Sequence, residues 1–458
     1  MLYSLIFSLS LLLYGGVQTL RQRRDRRRAQ AAMRAGDYQA AWHHWERLAR
    51  RWGDGGACYQ LGWLSWQLEE YALARAYFEA ATLGRHADAW NALGWLHQQG
   101  LGGARDYYQA QRAYQQGARL GSAAAAFNLA VLCEQGRGRA QDLQAARRYY
   151  EWAARRGLTE ALLNLGSWHA RRRDYGTARH YYQRAAARGD RHGQYYLGLF
   201  AFYGLGGPRQ RSLARRQWQT AAAQNHYEAA WALGRYYRRL VERGGRSFTP
   251  GALHFLKQAA AAGRVGAQRE LGLFYWQQPA SGGERQRRAR ACHWLSQAAT
   301  AADREALWAL GRLAGESGNW PSACAYYQQA AALGQRLAQR ELADCYRQGR
   351  GVPEDEELAD YWLLQAAQRG EVYSQRDWAR LCLEQDDLVQ ARFWLELALQ
   401  DNPARLAADF DALEAAEREQ QQPGPPATPA LPLGGAGSDI EQNFARACDW
   451  YQRRAEWS

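Results

Sequence analysis

The sequence predicts an all-α protein built from stacked helix pairs, and three observations support this. Alanine and glycine are abundant whereas valine, isoleucine and threonine are scarce, which favours helices over strands. A Leu-Gly or Leu-Ala pair recurs every 32–39 residues. A second segment follows each pair, and its alanines and aromatic residues recur at three- and four-residue steps, as on one helical face. We therefore expect an α-solenoid of about 10–11 helix-turn-helix repeats.

The first 20 residues are predicted to form a transmembrane anchor. The run from Leu2 to Leu20 contains no charged residue, and as a helix it would span about 28 Å, close to the thickness of a bilayer core. A basic juxtamembrane segment, RQRRDRRR, follows at residues 21–28. No cleavage signal of the secretory type is present, so the anchor is expected to be retained. The competing interpretation is a buried first helix of the soluble fold.

The repeat is defined by the small residue of each Leu-Gly or Leu-Ala pair. This residue lies on the first helix of a repeat, helix A, and the alanine and aromatic face lies on the second, helix B. The small residues are Gly62, Gly94, Ala130, Gly166, Gly198, Gly234, Gly272, Gly311, Ala343 and, after a tryptophan, Ala379, with Ala29 in a degenerate first copy. They let the two helices approach closely, and the aromatic side chains fill the space between repeats.

Glycines in a G-x-G arrangement follow several A helices, as in QGLGG at Gly100 and QGRGR at Gly136. A phosphate-binding loop would need a strand before its glycines, and here a helix precedes them, so these glycines are predicted to be turns. Helix B segments also end in glycine, as at Gly84 and Gly157, where we expect left-handed caps.

These residues resemble the tetratricopeptide superfamily and, more closely, its Sel-one-like branch, whose marks are the G-x-G turn and the 36-residue spacing. The resemblance covers residues 29–403. It implies a right-handed α-solenoid and, for function, an adaptor or scaffold in signalling, envelope assembly or host contact.

No residue pattern predicts an enzyme, a cofactor or a metal site. HHWE at His43 lacks a second pair of metal ligands, and Ser167 and His169 lie two apart on a helix and face different directions. The seven cysteines include no C-x-x-C pair. They are predicted to be reduced, small apolar residues in a non-oxidising compartment.

The resemblance implies that helix A lines the concave surface. Counted from the small residue, offsets −3, +1 and +4 share one helical face. We name this face of the A helices the A-face. Its candidate protein-binding residues, with Asn91 and Gln98 among them, are Tyr59, Trp63, Trp66, Trp95, Phe127, Tyr195, Phe202, Trp231, Arg235, Arg238, Arg269, Trp276, Trp308, Arg312, Arg340, Arg347, Arg376 and Arg380.

Two interpretations of the A-face stay open. Exposed helices of an arginine-rich chain would contain arginine in any case. Alternatively, the face is a groove, aromatic at one end and cationic at the other, that binds a peptide or helix with acidic and apolar anchors. Nucleic acid is a third candidate partner. Aromatic and arginine side chains of the A-face could stack on bases, but within a net charge of +14 residues 338–420 carry 19 acidic and 9 basic side chains, which opposes this partner.

The chain after the repeats has three parts. Residues 404–421 are predicted to form an acidic capping helix, and residues 422–437 a Pro/Gly linker. Residues 438–458 are predicted to form a short amphipathic helix whose apolar stripe is Ile440, Phe444, Cys448 and Tyr451. This last helix is expected either to dock on its own chain or to capture a partner.

Taken together, these features predict a non-enzymatic scaffold or adaptor that binds protein partners. Arg21–Arg28 after the apolar run place the solenoid on the cytoplasmic side of a bacterial inner membrane, by the positive-inside rule. The alternative keeps the fold but locates it in the periplasm, where it would assist envelope or exopolysaccharide assembly.

Overall fold

The computed structural model describes residues 21–277, 283–399 and 407–421, and within these ranges the regular elements are all helices. The all-α prediction is confirmed for this part of the chain. The chain divides into two units, one ending at Leu271 and the other beginning at Gly272. The predicted anchor, the Pro/Gly linker and the C-terminal amphipathic helix lie outside the described residues.

The first unit holds fourteen α-helices and the start of a fifteenth. They are α1 (residues 21–35), α2 (Tyr38–Trp52), α3 (Gly55–Gln67), α4 (Tyr71–Leu83), α5 (Ala87–Gln99), α6 (Tyr107–Arg119), α7 (Ala123–Gln135), α8 (Leu143–Arg155), α9 (Thr159–Arg171), α10 (Tyr175–Ala187), α11 (Arg191–Tyr203), α12 (Arg211–Ala223), α13 (Tyr227–Glu242), α14 (Thr249–Ala261) and α15 (Val265–Gln277). A 3₁₀ turn, Arg246–Phe248, precedes α14.

The second unit begins within α15 and continues with eight more helices. They are α16 (Glu284–Ala299), α17 (Arg304–Glu316), α18 (Trp320–Ala332), α19 (Arg336–Arg347), α20 (Glu356–Gln368), α21 (Val372–Glu384), α22 (Leu388–Leu399) and α23 (Ala407–Gln421). From α1 to α22 the odd-numbered helices are A helices and the even-numbered ones are B helices. The described residues thus contain eleven helix pairs, at the upper end of the predicted number.

The small residue of helix A lies directly under a large side chain of its own helix B. A Cβ added at Gly94 would lie 2.5 Å from Tyr114 Cδ1, and one at Gly62 would lie 2.7 Å from Phe78. The side chains in this place are at most 4% exposed: Trp45, Phe78, Tyr114, Tyr150, Tyr182, Trp218, Leu256, Leu295, Tyr327, Leu363 and Leu395. We call each such contact a seam.

The same side chains also join successive repeats. Phe78 shares a hydrophobic cluster with Leu93 and Leu96 of the next helix A, and Tyr150 shares one with Leu162 and Leu165. Burial of a large apolar side chain stabilises a fold by about 2–3 kcal/mol, so a repeat that lacks its neighbour loses a substantial part of its core. Stacking is therefore required for stability, as the periodicity predicts.

The G-x-G segments turn the chain from helix A to helix B, as predicted. Both glycines adopt positive φ, for example 75° at Gly100 and 69° at Gly102. A Cβ at Gly102 would lie 2.6 Å from the carbonyl oxygen of Tyr71, the first residue of the preceding helix B. The second glycine is thus needed for a backbone contact between repeats as well as for the turn.

The expected left-handed cap at Gly84 is wrong. Gly157 has φ 98°, in agreement with the prediction, but after α4 the residue with positive φ is Arg85, at 55°. Gly84 has φ −77° and lies against Gly55. A Cβ added at Gly84 would lie 2.9 Å from the Cα of Gly55. Close approach of two backbones, not turn conformation, accounts for glycine at this position.

The helix α23 packs on the final pair. Leu413 is fully buried in a cluster with Trp394, Leu395 and Ala398 of α22, and Phe410 packs against the same cluster. α23 lies within residues 404–421, the range predicted for a capping helix. It shields apolar surface of α22 that would otherwise face solvent.

Candidate protein-interaction surface

The predicted A-face residues all lie on A helices, and none of them is buried. Trp63, Arg235 and Arg380 are exposed, and the other fifteen are half-buried. The leucine before each small residue is instead buried, as at Leu61, Leu165 and Leu233, each 0% exposed. Helical periodicity therefore separates the core face of helix A from a partly accessible face. The role of that face in binding stays a prediction.

In the first unit, side chains of consecutive A helices meet through aromatic rings and amides. The ring of Trp66 on α3 lies edge-on to that of Trp95 on α5, with centroids 5.8 Å apart, and Trp63 lies 6.0 Å from Trp66. The Asn128 side-chain amide donates a hydrogen bond of 2.9 Å to Asn91 Oδ1. Trp63, at 38% exposed, is the accessible member of a three-tryptophan cluster.

Two other predicted residues of this unit rest on the N-terminus of the next A helix. Tyr59 stacks on His86 with centroids 4.4 Å apart, and burial, followed by the nearby charge of Asp88, raises the pKa of its phenol. Tyr195 stacks in the same way on His226, with ring centroids 4.8 Å apart.

Gln98 and Phe127, also on the A-face of this unit, contact seams. Gln98 accepts a hydrogen bond of 2.9 Å from the Tyr114 hydroxyl, so it supports a seam. Phe127 lies 5.6 Å from Tyr150 at another seam.

A small cavity of about 100 Å³ lies between α11 and α13 of the first unit. Its lining includes the predicted residues Tyr195, Phe202, Trp231 and Arg235. Phe202 packs against Trp218 at 5.4 Å, so it extends from the seam to the surface. The cavity has room for a side chain, not for a folded ligand.

Seven A-face arginines lie within 4.0 Å of a carboxylate, and two of these carboxylates, Glu270 and Glu341, are on the next A helix. Arg269 is half-buried. Arg235 Nε lies 3.3 Å from Glu270 Oε1, and Arg312 Nη1 lies 3.0 Å from Glu341 Oε1. Arg340 lies 3.9 Å from Glu371. Arg376 and Arg380 both donate 2.6 Å hydrogen bonds to Asp409 of α23. Arg347 pairs with Asp360 of its own helix B at 3.1 Å, and Arg238 with Glu242 at 3.2 Å.

The remaining predicted residues, Trp276 and Trp308, approach each other on α15 and α17 of the second unit, with centroids 6.4 Å apart. The Trp276 indole donates a 3.2 Å hydrogen bond to Glu316. Trp308 also lines an open cleft of about 670 Å³ with Arg304, Arg336 and Arg369.

Sequence reasoning missed the carboxylates on and beside the A-face. Glu270 and Glu341 each lie two residues before a small residue, and Asp344 occupies the +1 offset itself. Burial raises the pKa of Asp344, and it raises that of Glu270 more than the adjacent Arg238 and Arg235 lower it. Their charges are visible in the sequence, but their contacts with arginines of the preceding A helix are not, because those contacts depend on how two helices approach each other. The face predicted to be cationic is therefore one of mixed charge.

The structure offers no site for metal or thiol chemistry in the ranges it describes. No group of three or more His, Cys, Asp or Glu side chains there could hold a metal ion. The six cysteines of those ranges are free, and burial raises the pKa of their thiols, that of Cys382 to about 11. Cys448 lies outside the described residues. None of the described helices combines the length and apolarity needed to cross a bilayer.

The described helices resemble solved bacterial repeat structures. A protective antigen present in uropathogenic Escherichia coli strains, which displays an SLR fold, superposes with a TM-score of 0.67. It covers 92% of this chain and 99% of its own length, at 23% identity, so this likeness concerns the fold alone. A Sel1 repeat protein from Oxalobacter formigenes covers 53% of this chain and 99% of its own, with 26% identity and a TM-score of 0.47.

A sequence relative comes from Neisseria meningitidis serogroup B, a protein described as uncharacterised. It is 32% identical over 183 residues. This match spans 39% of the present chain and 37% of the relative, so less than half of each is aligned.

The model of the Sel1 repeat matches nine segments that together span more than half of the chain: residues 87–122, 123–158, 159–190, 191–226, 265–303, 304–335, 336–371, 380–402 and 433–456. The first seven coincide with helix pairs of the structure, from α5–α6 to α19–α20. α13 and α14, which fall in an unmatched interval, pack in the same way, with Leu256 over Gly234. The chain belongs to the Sel1 repeat family.

Proposed function

We propose that this protein is an adaptor that binds a protein partner through the A-face of its first unit. The observation that carries the proposal is the cluster of Trp63, Trp66 and Trp95. Trp63 is 38% exposed although it lies beside two half-buried tryptophans. Tryptophan is among the residues enriched at the energetic hot spots of protein–protein interfaces. The repeat fold supplies the rigid scaffold that such an anchor needs.

The chemistry of the A-face supports a partner peptide or helix with an apolar anchor. An acidic anchor is a weaker requirement than the sequence implied, because Arg235, Arg312 and Arg380 already pair with carboxylates of this chain. Their side chains stay 41–46% exposed, so each can still accept a second carboxylate. The same pairing disfavours nucleic acid, since phosphates would have to compete with Glu270, Glu341 and Asp409.

Photo-crosslinking in cells tests the proposal. A photoreactive residue in place of Trp63 is expected to give a specific protein adduct, whereas one in place of Tyr108, an exposed aromatic residue of helix B at 47%, is not. Trp95→Ala should reduce the adduct at position 63, because it removes the support of the cluster. Equal adducts from positions 63 and 108 would refute the A-face as the binding surface.

We further propose that residues 1–20 anchor the adaptor in a bacterial inner membrane with the repeats in the cytoplasm. The uncharged run from Leu2 to Leu20 and the arginines at 21–28 support this topology. A compartment-sensitive reporter fused after Ser458 should be active only in its cytoplasmic form. Periplasmic activity would instead favour a role in envelope or exopolysaccharide assembly.

A further inference from the structure

The last helix B, α22, carries an apolar stripe that the described residues leave exposed. Val389 is 80% exposed, Phe393 51% and Leu397 38%. Their four-residue spacing places them on one face of the helix. The opposite face is buried, with Ala391, Leu395 and Ala398 each 0% exposed. α22 is therefore apolar on two faces. Only the buried face contributes to the seam, so the seam does not account for the exposed one.

The equivalent positions of the other B helices differ. Counted from the seam residue, the stripe occupies offsets −6, −2 and +2. In α2 through α20, at least two of these three offsets hold polar, charged or small residues or proline. Representative sets are Gly176, His180 and Arg184 in α10; Ser212, Arg216 and Thr220 in α12; and Pro321, Ala325 and Gln329 in α18. A face that carries at most one large apolar or aromatic side chain in ten helices and three in α22 indicates a cover specific to α22.

The chain itself supplies a segment of matching pattern. Thirty-seven residues follow α23, and residues 433–456 match the Sel1 repeat model although they stand apart from the continuous array. Within residues 438–458, Ile440, Phe444, Cys448 and Tyr451 recur at helical spacing. Residues 422–437 could span about 50 Å when extended, ample to reach α22 from the end of α23.

The C-terminal part of this segment is complementary in charge to α22, whereas residues 438–458 as a whole carry four acidic and three basic side chains. Residues 384–396 contain four acidic side chains and one arginine, a balance of −3. Residues 446–454 contain three arginines and one aspartate, a balance of +2. Attraction between the acidic side chains near the α22 stripe and the arginines near the stripe of the C-terminal segment would align the two apolar stripes.

We propose that residues 438–458 of the same chain dock as a helix on the stripe Val389, Phe393 and Leu397. The docked segment adds a final layer to the second unit and removes its exposed apolar surface from water. The linker at residues 422–437 makes the contact intramolecular, so a short helix that is marginal alone can be held at high effective concentration.

The native thiol of Cys448 reports on this contact. In the purified full chain, held in mild detergent because of residues 1–20, alkylation of Cys448 is followed by mass spectrometry of its peptide. We expect it to react about tenfold more slowly than in the denatured chain. Phe393→Asp should restore fast alkylation, since it places a charge in the stripe. Gln385→Asp is the matched control, because it adds the same charge to an exposed position between α21 and α22, outside the stripe, and Cys448 should stay protected.

Three results would overturn the proposal. Fast alkylation of Cys448 in the unaltered chain would mean that the segment is undocked. Protection that survives Phe393→Asp would mean that it covers another surface. Protection that disappears on dilution would mean that the segment binds a second copy.

Discussion

The two units use the same repeat frame but differ in the contacts between their A helices, although one aromatic pair, Trp276 and Trp308, also occurs in the second unit. In the unit that ends at Leu271, Trp66 meets Trp95 and Asn128 bonds to Asn91. In the unit that begins at Gly272, Arg312 pairs with Glu341 and Arg376 with Asp409. Arg235–Glu270, at the end of the first unit, already belongs to the second type.

This difference shows that the seam and the A-face are independent features of a repeat. The seam of Gly166 and Tyr182 in the first unit and that of Gly311 and Tyr327 in the second have the same aromatic residue over the same glycine. The A-face can therefore change from aromatic to charged while the core contact stays the same. Half-burial of the A-face side chains permits this, because each keeps some contact with water.

The largest expected effect comes from breaking the feature that both units share. A Cβ at Gly166 would lie 2.6 Å from Tyr182 Cε1, whereas a Cβ at Gly176 of the same helix pair meets nothing within 4 Å. Gly166→Ala should lower the unfolding free energy by about 1–3 kcal/mol through overpacking. Gly176→Ala should raise it by about 0.5–1 kcal/mol, because alanine favours the helix.

Urea denaturation followed by circular dichroism measures both variants, and the midpoints should move in opposite directions. A shift of the same sign and size for the two alanines would contradict the seam as the element that limits side-chain size.

An intermediate effect distinguishes the two kinds of A-face. A double-mutant cycle on Trp66 and Trp95, each changed to alanine, should give a coupling of about 0.5–1.5 kcal/mol. A cycle on Arg312 and Glu341, whose side chains are 41% and 32% exposed, should give about 0.2–1 kcal/mol. Only the second coupling should weaken when salt rises from about 0.1 M to about 1 M. Equal salt dependence of the two couplings would show that the comparison between the units is mistaken.

The smallest effect concerns Glu270, the acidic partner in the first unit. Burial raises the pKa of its carboxyl above the ordinary value, so the folded chain holds this proton more tightly than the unfolded chain. The resulting stabilisation is complete below the ordinary carboxyl pKa and is lost as pH rises through the raised value. From about pH 4 to about pH 7, the unaltered chain should therefore lose more stability than Glu270→Gln. Thermal unfolding across this range measures the difference; a smaller loss in the unaltered chain would mean that Arg235 and Arg238 dominate.

Much of the fold follows from local pattern. The positions from Gly62 to Ala379 predict which side of helix A faces helix B, because the helical period fixes it. The aromatic residue expected over the small residue is present in six of these ten seams, and leucine takes its place in the others: Leu256, Leu295, Leu363 and Leu395. The G-x-G turns follow from the preceding helices. The left-handed cap expected at Gly84 failed because glycine serves close backbone approach as well as positive φ, and the sequence does not distinguish the two.

The A-face was predicted in position but not in charge. Period and offset identified Arg312, Arg340 and Arg376 as partly accessible, and they are half-buried. Their carboxylate partners were not identified, because they lie 29 to 33 residues away in the chain. A residue offset describes one helix, whereas an ion pair depends on the distance between two.

What the sequence determined by itself is the succession of helix pairs, the register of each seam and the side of helix A that stays accessible. These properties follow from the 3.6-residue period and from side-chain size, which act within a few turns of one chain segment. Only the tertiary structure decided that seven of the A-face arginines lie beside carboxylates and that Asp409 pairs with two of them. It likewise decided that α22 keeps an apolar stripe exposed. Those outcomes depend on how separate helices approach one another, because water is excluded only where two helices are in contact.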